Sequence, residues 1–168
     1  MSSRLPETLN FLKQAERNVS LKGQWPLAEL NRLHDLINDT SGELAADLFF
    51  GSSVGFYCLQ GTVKATVEVI CQRCAEPMQQ ELLGHFKLGL IKSEAQVESL
   101  PADMEPYLVE GEEQSLIDVL EDELILALPM VTTHQSECSS FLEKMNEQRR
   151  KDELKDNPFA VLKDLKTD

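Results

Sequence analysis

The chain lacks the marks of a membrane or secreted protein and has few of the residues that enzymes depend on. Its 168 residues contain no apolar run approaching the roughly 18 residues of a membrane span, and the N-terminus lacks the apolar stretch of a signal peptide. We therefore expect a cytoplasmic protein with no membrane partner. Histidines number 3, and neither a Gly-rich phosphate loop nor a nucleophile elbow occurs. The sequence thus favours a non-enzymatic protein without a small-molecule substrate.

Positive charge is also scarce. The chain has 16 Lys and Arg against 29 Asp and Glu, which gives a formal charge of −13 and excludes a generic basic RNA-binding module. Residues 93–143 contain no Lys or Arg but thirteen Asp and Glu, and the rest of the chain is balanced. Such a local excess favours a basic partner, while a solvated acidic surface is the alternative.

The hydrophobic pattern predicts an α+β fold. Alternation over residues 62–69 and 82–90 indicates two antiparallel strands joined by the intervening loop. Leucines at helical spacing after Pro26 predict a helix over residues 27–38, and Ser115 begins a second predicted helix that Pro129 ends near residue 127. We expect an antiparallel sheet of about four to six strands packed by these two main helices.

The domain organisation predicted from composition has three parts. Residues 1–138 form a single α+β domain, in which the acidic stretch after residue 93 is an exposed or mobile loop. Residues 139–156 are mostly charged and are typical of a linker or solvated helix. Residues 157–168 place Phe159, Leu162 and Leu165 at three-residue spacing, which predicts a short docking motif or a segment that folds back on the domain.

Four side chains form a candidate structural zinc site. Cys71 and Cys74 are two residues apart in a predicted turn, so both thiolates can face one ion. His134 and Cys138 follow the second helix and supply the other two ligands if that segment returns over the sheet. Reduced thiols without metal are the alternative, because the second pair has an irregular spacing.

Three carboxylates share one face of the second predicted helix. Asp118, Glu121 and Asp122 are spaced so that they could hold a divalent metal for phosphoryl chemistry, as in a metal-dependent nuclease. A solvated helix face is the simpler interpretation.

Three segments resemble a known family. Residues 69–74 with Pro77, residues 117–129 and residues 157–162 read, in order, VICQRC, IDVLEDELILALP and NPFAVL. This pattern is similar to that of the YceD family, also called DUF177. The resemblance implies a non-enzymatic factor needed for accumulation of large-subunit ribosomal RNA. Many relatives carry a second cysteine pair where this chain has His134 and Cys138, a departure that bears on the metal site.

The resemblance and the charge pattern together give two binding hypotheses. In the first, an acidic surface around residues 105–123 binds a basic large-subunit ribosomal protein or a pre-ribosomal particle. Its candidate contacts are Asp118, Glu121, Asp122 and Glu123, with Asn157, Pro158 and Phe159 of the docking motif. In the second, the wet face of the sheet binds 23S rRNA directly through Lys64, Arg73, Lys87 and Lys92.

Overall fold

A computed structural model describes residues 4–138 and 145–151. Five strands form one sheet in the order β2-β3-β4-β5-β6, and the short strands β1 and β7 pair separately. The strands are β1 (Thr8–Leu9), β2 (Ser20–Pro26), β3 (Glu43–Ser53), β4 (Phe56–Ile70), β5 (Pro77–Ile91), β6 (Glu105–Leu108) and β7 (Gln114–Ser115). The helices are α1 (Phe11–Glu16) and α2 (Leu116–Ala127). The predicted α+β class and the strand number are confirmed.

The long hairpin of β4 and β5 is the centre of the sheet. Its register runs without a break from Cys58 opposite Gly89 to Ile70 opposite Pro77. One face of the sheet buries the alternating apolar residues of these strands under α2, whose Leu116, Leu120 and Leu124 are fully buried. Gly84 permits this contact, since a Cβ there would lie 2.8 Å from the Val63 side chain and 3.2 Å from a carbonyl oxygen of α2.

The sheet is mixed, so the expectation of a purely antiparallel sheet was wrong at one edge. Strand β6 pairs with β5 in parallel, because the chain after β5 crosses over before it returns to that edge. The crossover begins with a 3₁₀ helix, Glu94–Ser99, and its Leu100 lies against Gly89 on the face opposite α2. Part of the segment predicted as a mobile acidic loop therefore belongs to the folded domain.

The predicted helix over residues 27–38 was also wrong. This segment contains two separate 3₁₀ turns, Leu27–Glu29 and His34–Leu36. Leu27, Leu30 and Leu33 are all fully buried, and their spacing of three fits 3₁₀ geometry as well as an α-helix. The pattern identified three leucines that enter the core, but not the backbone that carries them, and Leu36 of the same pattern is 49% exposed.

The C-terminal part of the chain is described only over residues 145–151, which are helical and exposed. The rest of the predicted linker and the whole docking motif, with Asn157, Pro158 and Phe159, lie outside the described residues, so the three-part division stays a prediction. Among the described residues, no helix is long and apolar enough to cross a membrane.

Candidate metal centre and acidic surface

The first pair of predicted ligands lies in the turn between β4 and β5. The Cys71 backbone N–H donates to the Glu76 carbonyl at 2.9 Å, and the Ala75 N–H donates to the Cys71 carbonyl at 2.8 Å. Ala75 has a φ of +62°, a left-handed conformation that costs energy for a residue with a Cβ. The turn is thereby closed with both thiols on one side.

The second pair is carried by the segment that follows α2. Pro129 follows the end of α2, and the next residues return to the hairpin turn. This return is the condition under which His134 and Cys138 could complete the candidate site. The Thr132 hydroxyl donates to the Ile70 carbonyl at 2.8 Å, and the Gln72 N–H donates to the Thr132 carbonyl at 2.8 Å. These two bonds fix the segment beside the turn and bring His134 and Cys138 to the first pair.

The four candidate ligand atoms have the spacing of a tetrahedral metal site. All lie within 4.8 Å of one another, with Cys71 Sγ 3.7 Å from Cys138 Sγ and Cys74 Sγ 3.5 Å from His134 Nδ1. Zn–S and Zn–N bonds of about 2.3 and 2.0–2.1 Å at tetrahedral angles place two sulfurs about 3.8 Å apart and a sulfur and nitrogen about 3.5 Å apart. The donor set and the spacing therefore both fit zinc.

The surroundings favour the thiolate form of Cys71, whereas at Cys74 the Glu76 backbone N–H, which lowers the pKa, is outweighed by burial and by the neighbouring thiols, which raise it. Burial raises the pKa of Cys71, but backbone N–H groups of Arg73, Cys74 and His134 outweigh it and lower that pKa to about 5. Arg73 donates from Nε to Cys138 Sγ at 3.1 Å and from Nη2 to the carbonyls of His134 and Ser136. That contact with Cys138 raises the pKa of Arg73. Arg73 therefore acts as a support for the second ligand pair, a role that the sequence analysis did not predict.

The carboxylates of α2 do not form the open acidic face that their spacing suggested. Glu121 is only 4% exposed and accepts from the backbone N–H groups of Arg32 and Leu33 at 2.7 and 3.0 Å. It also accepts from Arg32 Nε at 3.0 Å, while Arg32 Nη1 donates to Asp122 at 2.5 Å. The Glu121 carboxylate thus caps the 27–36 segment.

Glu123 is also withdrawn from solvent. It is 8% exposed, and burial, followed by the nearby charges of Glu105 and Asp122, raises its pKa to about 7. Asp118 remains exposed. Because Glu121 is occupied by Arg32, the three carboxylates considered for a nuclease do not form a metal site; among the described residues, the cysteine–histidine cluster is the group with that capacity.

Most of the exposed carboxylates of the acidic segment lie before α2, and those exposed along the helix are Asp118 and Asp122. The Glu side chains of the cation-free segment that precedes the helix are all exposed. They surround β6 and the loops on either side of it. These residues are Glu94, Glu98, Glu105, Glu110, Glu112 and Glu113.

The candidate RNA-binding cations are largely engaged within the protein. Lys87 Nζ lies 2.6 Å from Asp103, and Lys64 Nζ lies 3.8 Å from Glu81. Arg73 holds the second ligand pair, as described above. Lys92 is exposed, and its backbone N–H donates to Gln96. The sheet face therefore presents carboxylates beside its cations.

Comparison with known proteins places the chain in a family. A family model described as "Large ribosomal RNA subunit accumulation protein YceD" matches residues 59–166, which include both ligand pairs, α2 and the C-terminal motif. The chain belongs to the YceD family. A curated YceD-family protein of Haemophilus influenzae, "Large ribosomal RNA subunit accumulation protein YceD", is 34% identical over 168 residues, covering 97% of each chain. The resemblance found in the sequence is thus confirmed. No solved structure matches.

Proposed function

We propose that this YceD-family chain is a non-enzymatic factor that supports the accumulation of large-subunit ribosomal RNA, and that it does so by binding a basic ribosomal protein. Family membership carries the first part of this proposal. A relative that is named for this role aligns with the chain over 97% of each protein. The second part is supported by the exposed carboxylates before α2, in a segment with no Lys or Arg.

The structure narrows the residues proposed to make this contact. Glu121 and Glu123 are buried, so the partner surface consists instead of the exposed Glu side chains around β6, with Asp118 and Asp122 at its border. Asn157, Pro158 and Phe159 are proposed to add a second contact. Cys71, Cys74, His134 and Cys138 are proposed to hold a structural zinc ion that keeps the hairpin turn and the segment after α2 together.

The test is purification of the tagged protein from its own cells at low salt, with and without ribonuclease. We expect a basic large-subunit protein to be retained after ribonuclease treatment and to dissociate as salt is raised. Replacing Glu98, Glu110 and Glu112 with Gln should weaken this retention.

A matched control distinguishes a specific surface from net charge. Glu7, Glu16 and Glu43 are also exposed, and changing them to Gln alters the net charge equally. Equal loss in both triple variants would contradict the proposal. Loss of every partner on ribonuclease treatment would instead favour the alternative of direct rRNA binding through Lys64, Arg73, Lys87 and Lys92. The neighbouring Glu81 and Asp103 weigh against that alternative.

A further inference from the structure

An open groove lies between α2 and the segment that Glu121 caps. Its volume is about 610 Å³, and its floor is the end of β4 next to the candidate metal centre. One wall is formed by residues 35–38, and the other by the end of α2 and the residues that follow it. The apolar side chains that line it include Leu36, Ile37, Ile70, Ile125, Leu128 and Met130.

Several of these side chains are exposed to an unusual degree for large apolar groups. Met130 is 96% exposed and Leu36 is 49% exposed, although both line the groove. Leu126 and Val131, which adjoin lining residues in the chain, are exposed as well. A cluster of exposed apolar groups around a concavity is typical of a protein-binding site.

The charge around the groove indicates what kind of segment fits it. Asp35 lines the groove, and none of its described lining residues carries a positive charge. The Asn38 backbone N–H donates to the Glu68 carbonyl, and the Asn38 amide donates to the Glu68 carboxylate. Glu68 also pairs with Asp39 in an isolated β-bridge, so further carboxylates lie beside that wall.

The two cations that are nearest in the sequence to the groove residues bind other groups of the protein. Arg32 is held by Glu121 and Asp122, and Arg73 is held by Cys138 and by the carbonyls of the second ligand segment. The wall after α2 belongs to the cation-free stretch of the sequence. The groove is therefore apolar inside with an acidic border, which complements apolar side chains flanked by Lys or Arg.

We propose that this groove binds a short segment of a partner protein in which apolar side chains are flanked by Lys or Arg. The inference rests on the proposed function in taking that partner to be basic, and adds to it a binding site distinct from the carboxylates around β6. Met130 is the expected central contact, because its flexible thioether adapts to different apolar partners.

The experiment measures binding of synthetic peptides to the purified full chain by fluorescence anisotropy. The probe is a labelled peptide of Leu and Lys, compared with peptides of equal length in which Ala replaces Leu or Glu replaces Lys. We expect the Leu–Lys peptide to bind about tenfold or more tightly than either comparison peptide, since both the apolar and the cationic groups contribute.

Matched variants locate the site. Met130→Arg and Leu36→Arg should each weaken binding of the Leu–Lys peptide about tenfold, because each removes an apolar contact and adds a repelling charge. Leu83→Arg is the control: Leu83 is 59% exposed on the sheet, outside the groove, and the charge change is the same. Circular dichroism establishes that each variant is folded.

Several outcomes would overturn the proposal. The proposal fails if the Ala–Lys or the Glu–Leu peptide binds as tightly as the Leu–Lys peptide, or if Leu83→Arg weakens binding as much as Met130→Arg. Tighter peptide binding by a chain ending at residue 151 would show that the chain's own C-terminal residues occupy the groove. A dimer that Met130→Arg dissociates in sedimentation would assign the groove to a second copy.

These results are separable from the test of the proposed function. If the Gln variants of Glu98, Glu110 and Glu112 still lose the ribosomal partner but the peptides do not bind the groove, the groove proposal alone fails. If the peptide binds the groove as described but no basic partner is retained after ribonuclease treatment, the proposed function alone fails.

Discussion

Removal of the Glu121 carboxylate provides the sharpest test of the structure. This side chain is nearly inaccessible, and it accepts hydrogen bonds from the Arg32 and Leu33 backbone N–H groups and from Arg32 Nε. Glu121→Ala leaves the backbone N–H groups of Arg32 and Leu33 without their acceptor and removes one of the two carboxylates that hold the Arg32 guanidinium. An unsatisfied buried N–H costs about 1–3 kcal/mol, and with the weakened Arg32 contact we expect a loss of about 2–4 kcal/mol, a large share of the 5–15 kcal/mol that stabilises a typical domain.

Glu121→Gln separates the hydrogen bonds from the charge. Its amide oxygen can still accept from the two backbone N–H groups, while the charged contact with the Arg32 guanidinium is lost. We expect a cost of about 1–2 kcal/mol, which leaves the chain folded even if the Ala variant is not. Asp122→Ala is the control. Asp122 contacts the same guanidinium but is exposed, so its removal should cost no more than about 1 kcal/mol.

The measurement is guanidinium chloride unfolding followed by the fluorescence of Trp25, the single tryptophan of the chain, which is buried. Unfolding free energies should rank the wild type highest, then Asp122→Ala, Glu121→Gln and Glu121→Ala. A cost for Glu121→Ala no greater than that for Asp122→Ala would refute the assignment of Glu121 as the cap of the 27–36 segment.

Two further predictions concern the metal centre and the buried glutamate. Protein that has been treated with a chelator should bind one Zn²⁺ per chain. When Co²⁺ replaces Zn²⁺, we expect thiolate-to-metal charge-transfer absorption that is weaker in Cys74→Ser than in the wild type. The same Co²⁺ spectrum in the wild type and in Cys74→Ser would contradict the ligand set. The pKa of Glu123 is raised to about 7, above the value of about 4.3 for an unfolded glutamate, so the folded state binds this proton more tightly. Its stabilising contribution is complete below pH about 4.3 and disappears as the pH rises through 7. Glu123→Gln should therefore remove part of the decline in unfolding free energy between pH 5 and 8, and parallel curves for the two proteins would be evidence against the raised pKa.

The strands around the candidate metal centre could be predicted because their signals are local. Alternation in β4 and β5 and the two-residue spacing of Cys71 and Cys74 place the first ligand pair in a hairpin turn. The second pair was a hypothesis, because Pro129 ends the predicted helix and allows the chain to return without requiring it to do so. Each candidate pair is marked by its own short segment, so the sequence could name the four side chains, whereas their approach across 60 or more residues is shown by the structure.

The acidic helix was harder to predict because its contacts are distant in the sequence. A carboxylate 88 residues from Leu33 supplies the acceptor that an α-helix over residues 27–38 would have supplied from its own backbone. No window of residues around Pro26 contains that information. The same contact removes Glu121 from the surface, so one unrecognised hydrogen-bonding partner bears on both the wrong helix and part of the overestimated acidic face; the burial of Glu123 is separate.

The proposed peptide groove connects these two regions, because each of its walls is fixed by one of them. Glu121 holds the segment that ends in Leu36, and the bonds of Thr132 and Gln72 hold the segment that contains Met130. A zinc ion held by the candidate ligands would tie the second segment again a few residues further on. Side chains exposed to water, such as Met130, do not by themselves hold these walls at a fixed separation. A defined groove therefore depends on the buried carboxylate at one side and on the hydrogen bonds of Thr132 and Gln72 at the other, to which zinc in the candidate site would add a further link.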